Sequence, residues 1–210
     1  MSAQLTRRHA FVFELLGRSD YAIIGEIVDP GAKVLDLGCG EGELLQWLAE
    51  NKGVDARGVE ISGPKVQRAI ARGVSVFQCD IDEGLADYPD GTFDYVILSQ
   101  TLQETRQPRR VLREMLRVGR RAIVAFPNFG HWRVRSSMLM SGRAPRTKLF
   151  PYEWCDSPNI HFLTVHDFED LAAQEHLVVE RRYFLSGHRK VTLLPNLFAE
   201  VAVYLVSRAG

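Results

Sequence analysis

The sequence predicts an α/β fold built on a mainly parallel sheet, and three observations carry that prediction. Apolar runs of four to seven residues alternate with segments of helical period, as they do where helices join parallel strands. A glycine-rich turn follows the first of these runs, and acids close the second and third. With 210 residues, 46% of them apolar and 25% charged, the chain can bury a full core without disulfide or metal staples. One domain over residues 1–210 is expected. Lys plus Arg equals Asp plus Glu at 26 each, a balance that argues against a dedicated nucleic-acid binder. Cys39, Cys79 and Cys155 close no disulfide framework and lack paired CxxC spacing, so no metal and a reducing cytoplasm are expected. The N-terminal apolar stretch is broken by Glu14 and lacks a small-residue cleavage site. Residues 197–206 are interrupted by Glu200 and fall far short of the roughly 20 residues that span a bilayer, so a soluble protein with no membrane partner is expected.

Each element has its own local reason. Residues 20–28 read as a helix, with Ile23, Ile24 and Ile27 on one face and Pro30-Gly31 as the stop. Residues 33–37 form the first strand, followed by the turn and a helix through Leu44, Leu45 and Leu48. Residues 56–61 are the second strand, and Pro64 opens a helix that turns Val66, Ala69 and Ile70 inward. Residues 74–78 and 93–98 follow as strands, the latter introduced by the turn residues Pro89, Asp90 and Gly91. Pro108 stands at the first turn of a helix that buries Val111, Leu112, Met115 and Leu116. Its Arg109, Arg110, Arg113 and Arg117 read as a solvated face. Residues 122–126 form the fifth strand; from 127 to 158 periodicity fades among aromatics, Arg and Pro. Thr164 and Asp167 have capping-box spacing before a helix with Phe168 and Leu171 inward. Residues 177–185 and 199–206 are the last strands, the final one alternating as Val201, Val203 and Leu205 in the manner of an antiparallel strand.

The sharpest motif is VLDLGCGEGE, residues 34–43: a strand holding an acid, a turn with Gly38, Gly40 and Gly42, then a helix. Glycines let the backbone turn tightly and approach a ligand without a Cβ in the way. In an open parallel sheet, ligands bind at the carboxyl ends of the strands, where this turn must lie. Glu60 stands 24 positions after Asp36, the usual place for a carboxylate on ribose hydroxyls. Asp80 with apolar Ile81 suits the exocyclic amine and the face of an adenine. The spacing is G-x-G-x-G, unlike the G-x-G-x-x-G of dinucleotide sites. Between Gly73 and Thr105 there are seven acids and neither Lys nor Arg, a rim that repels phosphates and suits a cation. S-adenosylmethionine, with a sulfonium, an ammonium and no phosphate, fits better than NAD.

At these residues the sequence resembles a class I S-adenosylmethionine-dependent methyltransferase over about residues 20–130. The resemblance implies a Rossmann-like seven-stranded sheet in the order 3-2-1-4-5-7-6, with strand 7 antiparallel. It also implies S-adenosylmethionine or S-adenosylhomocysteine as cofactor, with Gly38 and Gly40 by the methionyl part and Asp36 near its amino-acid end. Glu60 would take the ribose and Asp80 with Ile81 the adenine, while Ser99 and Gln100 line the floor. Cys39 and Ile61 adjoin these positions and are expected in the same site. Longer blocks, DYAIIGEIVDPGAKVLDLGCGEGELL, DYPDGTFDYVILSQTLQ, AIVAFPNFGHWRVR and PNIHF, resemble the MetW family of bacterial methionine-biosynthesis proteins. That likeness implies association with MetX, the homoserine O-acyltransferase, and implies no methyl acceptor.

Methyl transfer needs alignment and at most one proton acceptor. The [DN]-P-P-[YFW] tetrapeptide of amino-methylating nucleic-acid enzymes is replaced by Ser99-Gln100-Thr101-Leu102. His131, Tyr152 and His161 are the base candidates, His131 and Tyr152 foremost, each with a structural hydrogen bond as its alternative. Cys39 and Cys79 read most simply as small buried thiols. The segment at about 131–160 carries Arg133, Arg135, Arg143, Arg146 and Lys148 interleaved with or followed by Trp132, Phe150, Tyr152 and Trp154. It reads as an acceptor lid, a partner surface or a solvated loop. The sequence therefore leaves two functions open: a non-catalytic subunit or regulator of the acyltransferase, and an active methyltransferase on a small molecule.

Overall fold

Parallel strands need crossovers, and the chain supplies an α-helix for each except the one from β3 to β4, which holds only a short turn at Ile81–Glu83. The computed structural model describes residues 18–209; the N-terminal stretch read above for a cleavage signal lies outside them. Helix α1 (Ser19–Ile27) leads into β1 (Lys33–Leu37), α2 (Glu43–Lys52), β2 (Asp55–Glu60), α3 (Gly63–Ala71) and β3 (Ser75–Gln78). Then come β4 (Phe93–Ser99), α4 (Pro108–Val118), β5 (Gly119–Pro127) and α5 (Trp132–Ser141). The chain continues through α6 (Val165–Gln174), β6 (Leu177–Ser186), β7 (Arg189–Lys190), α7 (Pro195–Phe198) and β8 (Val201–Arg208). The sheet order is β3-β2-β1-β4-β5-β8-β6-β7. Strand β1 runs parallel to both β2 and β4, with Asp36 opposite Gly58 and Ile97. Strand β8 is antiparallel to β5 and to β6.

Period-two alternation sends each central strand's side chains into two separate cores. Val34, Ile123, Ala125, Val203 and Leu205 face one layer, closed by Ile24 of α1 and Leu44 and Leu48 of α2. Leu35, Leu37, Val124, Phe126 and Tyr204 face the other, closed by Leu112 and Met115 of α4 and Phe168 of α6. There Phe126, Phe168 and Tyr204 form an aromatic cluster with centroids 4.6–6.0 Å apart. The α6 start is fixed by the expected capping box, in which Thr164 and Asp167 bond each other's backbone N–H.

The seven expected strands stand in the expected order, and the structure adds an eighth, the two-residue edge strand β7. Four details differ from the sequence reading. The last strand has no wet face: Val201 to Val206 are all buried, because β8 sits between two strands and under helices on both sides. Ile70 is 56% exposed, not inward, because α3 flanks the sheet's outer edge and buries only Val66 and Ala69. The aperiodic stretch after β5 contains α5, a helix missed because it buries just Val134. Strand β5 begins three residues earlier than expected, at Gly119. No helix among the described residues is long and apolar enough to cross a membrane.

Candidate functional site

Strands β1, β2, β3 and β4 finish at one end of the sheet, and the chain between β1 and α2 folds across it. Gly38, Gly40 and Gly42 have φ of +71°, +60° and +80°, a left-handed alternation that side-chain-bearing residues resist. The N–H groups of Gly38 and Cys39 both donate to the Val59 carbonyl, at 2.8 and 3.1 Å, pinning the turn to the end of β2. Glu60 is buried there. One of its carboxylate oxygens accepts from Gly40 N–H at 3.0 Å and the other from Ser62 N–H at 2.9 Å. Each oxygen keeps a second lone pair for a ligand hydroxyl.

Above this frame lies a cavity of about 620 Å³. Of the ten expected cofactor residues, Gly38, Cys39, Gly40, Glu60, Ile61, Asp80, Ile81, Ser99 and Gln100 all line it. Asp36 does not; it is buried beneath the turn at 4% exposure. Burial pushes its carboxyl up to about 8, Arg18 opposes that shift, and Asp20 and Glu60 add to it. Burial likewise raises the Cys39 and Cys79 thiols, which keeps them protonated at neutral pH.

Sequence reasoning missed part of the cavity wall. Arg18, Tyr21, Lys65, Glu104, Arg106 and Ile160 also line it. Arg18 donates to the buried Asp20 through Nε and Nη2, at 3.1 and 2.9 Å, and to Ser99 Oγ at 2.9 Å. The Ser99 hydroxyl donates to Asp20 in turn, and the Arg18 guanidinium lies 4.1 Å from the Tyr21 ring centroid. The signal was the RSD triplet at residues 18–20, where the helix was expected to begin. Glu104 has its pKa raised by burial, with Lys65 opposing and Glu60 adding.

The acidic rim is less negative in space than along the chain. Arg106 rests on Asp80 and Asp82, and Arg110 donates to the carbonyls of Asp82 and Glu83 at 3.3 and 3.1 Å. Arg117 pairs with Asp90 and Glu114 at 2.7 and 2.8 Å. Arg109 and Arg113 both bind Glu175, just past α6, at 3.0 and 2.6 Å. The arginines of α4 are thus ties to neighbouring segments, not a merely solvated face, because residues 82–90 and the end of α6 both lie against that helix.

None of the three base candidates lines this cavity. His131 is buried as the N-cap of α5, its Nδ1 accepting from Arg133 N–H at 3.3 Å, and burial lowers its pKa. Tyr152 lines a second cavity of about 740 Å³ with Phe129, Phe150, Trp154 and Phe162. His161 is exposed, and its backbone N–H donates to the Gln103 carbonyl at 3.0 Å.

The first cavity thus offers acceptors for hydroxyls at Glu60, an acid beside an apolar side chain at Asp80 and Ile81, and an Arg–Asp–Ser network at its floor. That donor set fits an adenosyl ligand bearing both charges, and the volume suits one. Solved structures define the class of fold. The crystal structure of a SAM-dependent methyltransferase from Thermotoga maritima superposes with a TM-score of 0.65 at 18% identity, covering 96% of this chain and 95% of that one. The architecture is that of the class I methyltransferases, down to the antiparallel strand beside β5.

Within that class the sequence is more particular. A family described as methionine biosynthesis protein MetW matches residues 18–206, and the chain belongs to the MetW family. The bifunctional methionine biosynthesis protein MetXA/MetW of Rhodopirellula baltica is 35% identical over 202 residues, 90% of this chain and 32% of that protein. The chain therefore spans about a third of that relative's length. Phosphoethanolamine N-methyltransferase 3 of Arabidopsis thaliana is 36% identical over 78 residues, 35% of this chain and 16% of that protein.

Proposed function

We propose that this chain binds S-adenosylmethionine or S-adenosylhomocysteine in the 620 Å³ cavity and acts in methionine biosynthesis beside a homoserine O-acyltransferase. The observation that carries the cofactor is the convergence of nine residues, chosen by spacing and resemblance, on one cavity. Glu60, oriented by the Gly40 and Ser62 amides, accepts from the ribose hydroxyls. Asp80 and Ile81 take the amine and face of the adenine; Gly38, Cys39 and Gly40 let the methionyl part approach the backbone. Ile61 flanks the ribose, Ser99 and Gln100 form the floor, and Asp36 supports the amino-acid end from below. The ligand supplies a methyl group on a sulfonium, and the acids around the cavity offset that positive charge.

The partner reading rests on the R. baltica relative, whose name joins MetXA and MetW. S-adenosylmethionine is made from methionine, so occupancy of the cavity reports the pathway's end product to the acyltransferase. The test is co-expression of the two proteins, size-exclusion chromatography, and acyl-transfer assays across a titration of S-adenosylmethionine. Co-elution with a ligand-dependent rate is expected. Separate peaks would overturn the association, and a constant rate would overturn the sensing. A second reading, methyl transfer to a small molecule, is favoured by the likeness to an N-methyltransferase over 78 residues. It requires transfer of labelled methyl to an acceptor by the chain alone.

A further inference from the structure

The described residues leave fifteen large apolar side chains exposed, and eight of them fall between positions 132 and 162. Helix α5 is the extreme case. It buries only Val134, while Leu139 and Met140 are 88% and 86% exposed. Most helices in proteins are held by packing of an apolar face, and α5 has almost none among the described residues. Its neighbour is the 740 Å³ cavity, walled by Phe129, Phe150, Trp154 and Phe162. Arg143 and Arg146 stand on that wall. Arg146 is paired with Glu153, whereas the side chains of Arg143 and Lys148 have no hydrogen-bond or ion-pair partner among the described residues.

The strip of chain at 160–162 belongs to both cavities. The chain bends at Ile160 and forms no regular strand there. Ile160 lines the adenosyl cavity, and Phe162 lines the aromatic one, its ring 4.7 Å from that of Phe129. The N–H groups of Ile160 and His161 both donate to the Gln103 carbonyl, at 2.8 and 3.0 Å. Gln103 Nε2 donates at 2.7 Å to the carbonyl of Gln100, which is on the adenosyl cavity wall with φ +58°. Gln103 Oε1 is buried without a hydrogen-bond partner among the described residues. One hydrogen-bonded chain of residues therefore joins the two cavities.

We propose that α5 and the strap at 151–162 form the docking face for the homoserine O-acyltransferase, and that residues 160–162 couple this docking to the adenosyl site. The inference rests on the partner reading above. The occupant is a segment of the acyltransferase that is apolar at its centre, to fill the aromatic cavity, and acidic at its edge, to meet Arg143 and Lys148. Fusion of the two proteins in the R. baltica relative keeps them at high effective concentration to each other, as a lasting contact between them would favour.

The experiment compares the parent chain with a Leu139→Glu/Met140→Glu variant, a Trp154→Glu variant and a Phe162→Ala variant. Affinity for the purified acyltransferase is read by calorimetry, and affinity for S-adenosylhomocysteine is read with and without that partner. The two Glu variants are expected to lose at least about tenfold in partner affinity while binding S-adenosylhomocysteine alone as the parent does. In the parent, saturating partner shifts S-adenosylhomocysteine affinity by about fivefold or more, and the ligand shifts partner affinity by the same factor, as linkage requires. Phe162→Ala brings that factor close to one. If the parent chain does not bind the acyltransferase, the partner reading itself fails, and this inference with it. If the parent binds and the Glu variants bind equally well, the docking face is wrong. If docking is lost as expected but ligand affinity never responds to the partner, the coupling is wrong. Self-association of the parent that the Glu variants abolish, with partner binding intact, would assign the face to a second copy and overturn the proposal.

Discussion

Asp36 lies where a carboxylate is costly, and its pKa of about 8 records that cost. Between about pH 4 and pH 8 the folded chain keeps a proton on Asp36 that the unfolded chain has released. Stability therefore falls as pH rises through this window and levels off above it. Asp36→Asn removes the titrating group, so the variant's unfolding free energy should gain on the parent's between pH 5.5 and pH 8 in urea titrations. A constant difference would show that Asp36 ionises normally. Glu60→Ala leaves ribose hydroxyls unpaired and should weaken S-adenosylhomocysteine binding by about 1–3 kcal/mol in calorimetry. Gly38→Ala meets two obstacles: a φ of +71°, and a new Cβ 2.7 Å from Thr101 Oγ1. It should cost about 1–2 kcal/mol from backbone conformation alone, with more from the clash. Adding Thr101→Ala should recover the clash and leave the backbone part, a non-additivity that denaturation of the four proteins of the cycle measures.

Elements owe their ends to a few side chains. Thr164→Ala removes the hydroxyl that caps α6 and should cost about 1 kcal/mol in unfolding free energy, as read by denaturant titration. That cap was legible because a capping box is a local pattern. The parallel strands were legible for a similar reason: a buried strand in an α/β sheet is a continuous apolar run. Helix α5 was not legible, since a helix with one buried residue carries no apolar stripe to detect. The wet face assigned to β8 was an error of neighbourhood, because Ala202 and Tyr204 pack under α6, which no pattern inside residues 201–206 announces.

At the scale of the whole molecule, the 620 Å³ cavity was legible where strand ends and glycines define it and illegible where distant segments close it. Glu60 and Asp80 follow from where strands stop. Arg18 and Ile160 reach the same cavity from the start of α1 and from the strap after α5, and chain spacing carries no trace of that meeting. A ligand that binds only the assembled cavity stabilises the entire fold. S-adenosylhomocysteine at 100 times its dissociation constant should add about 2.7 kcal/mol to unfolding, raising Tm by about 5–10 °C for a chain of this size. NAD at equal concentration should leave Tm unchanged in the same calorimetric scan.

Strand β8 is made after β6 yet lies between β5 and β6. A ribosome delivers the chain in order, so the β5 edge at residues 122–127 stays open until residues 201–206 emerge from the exit tunnel. Every nascent chain consequently passes through an interval with an unpaired apolar strand, the kind of surface that invites association with neighbours on the same polysome. The speed of translation over the residues between β5 and β8 sets how long that exposure lasts.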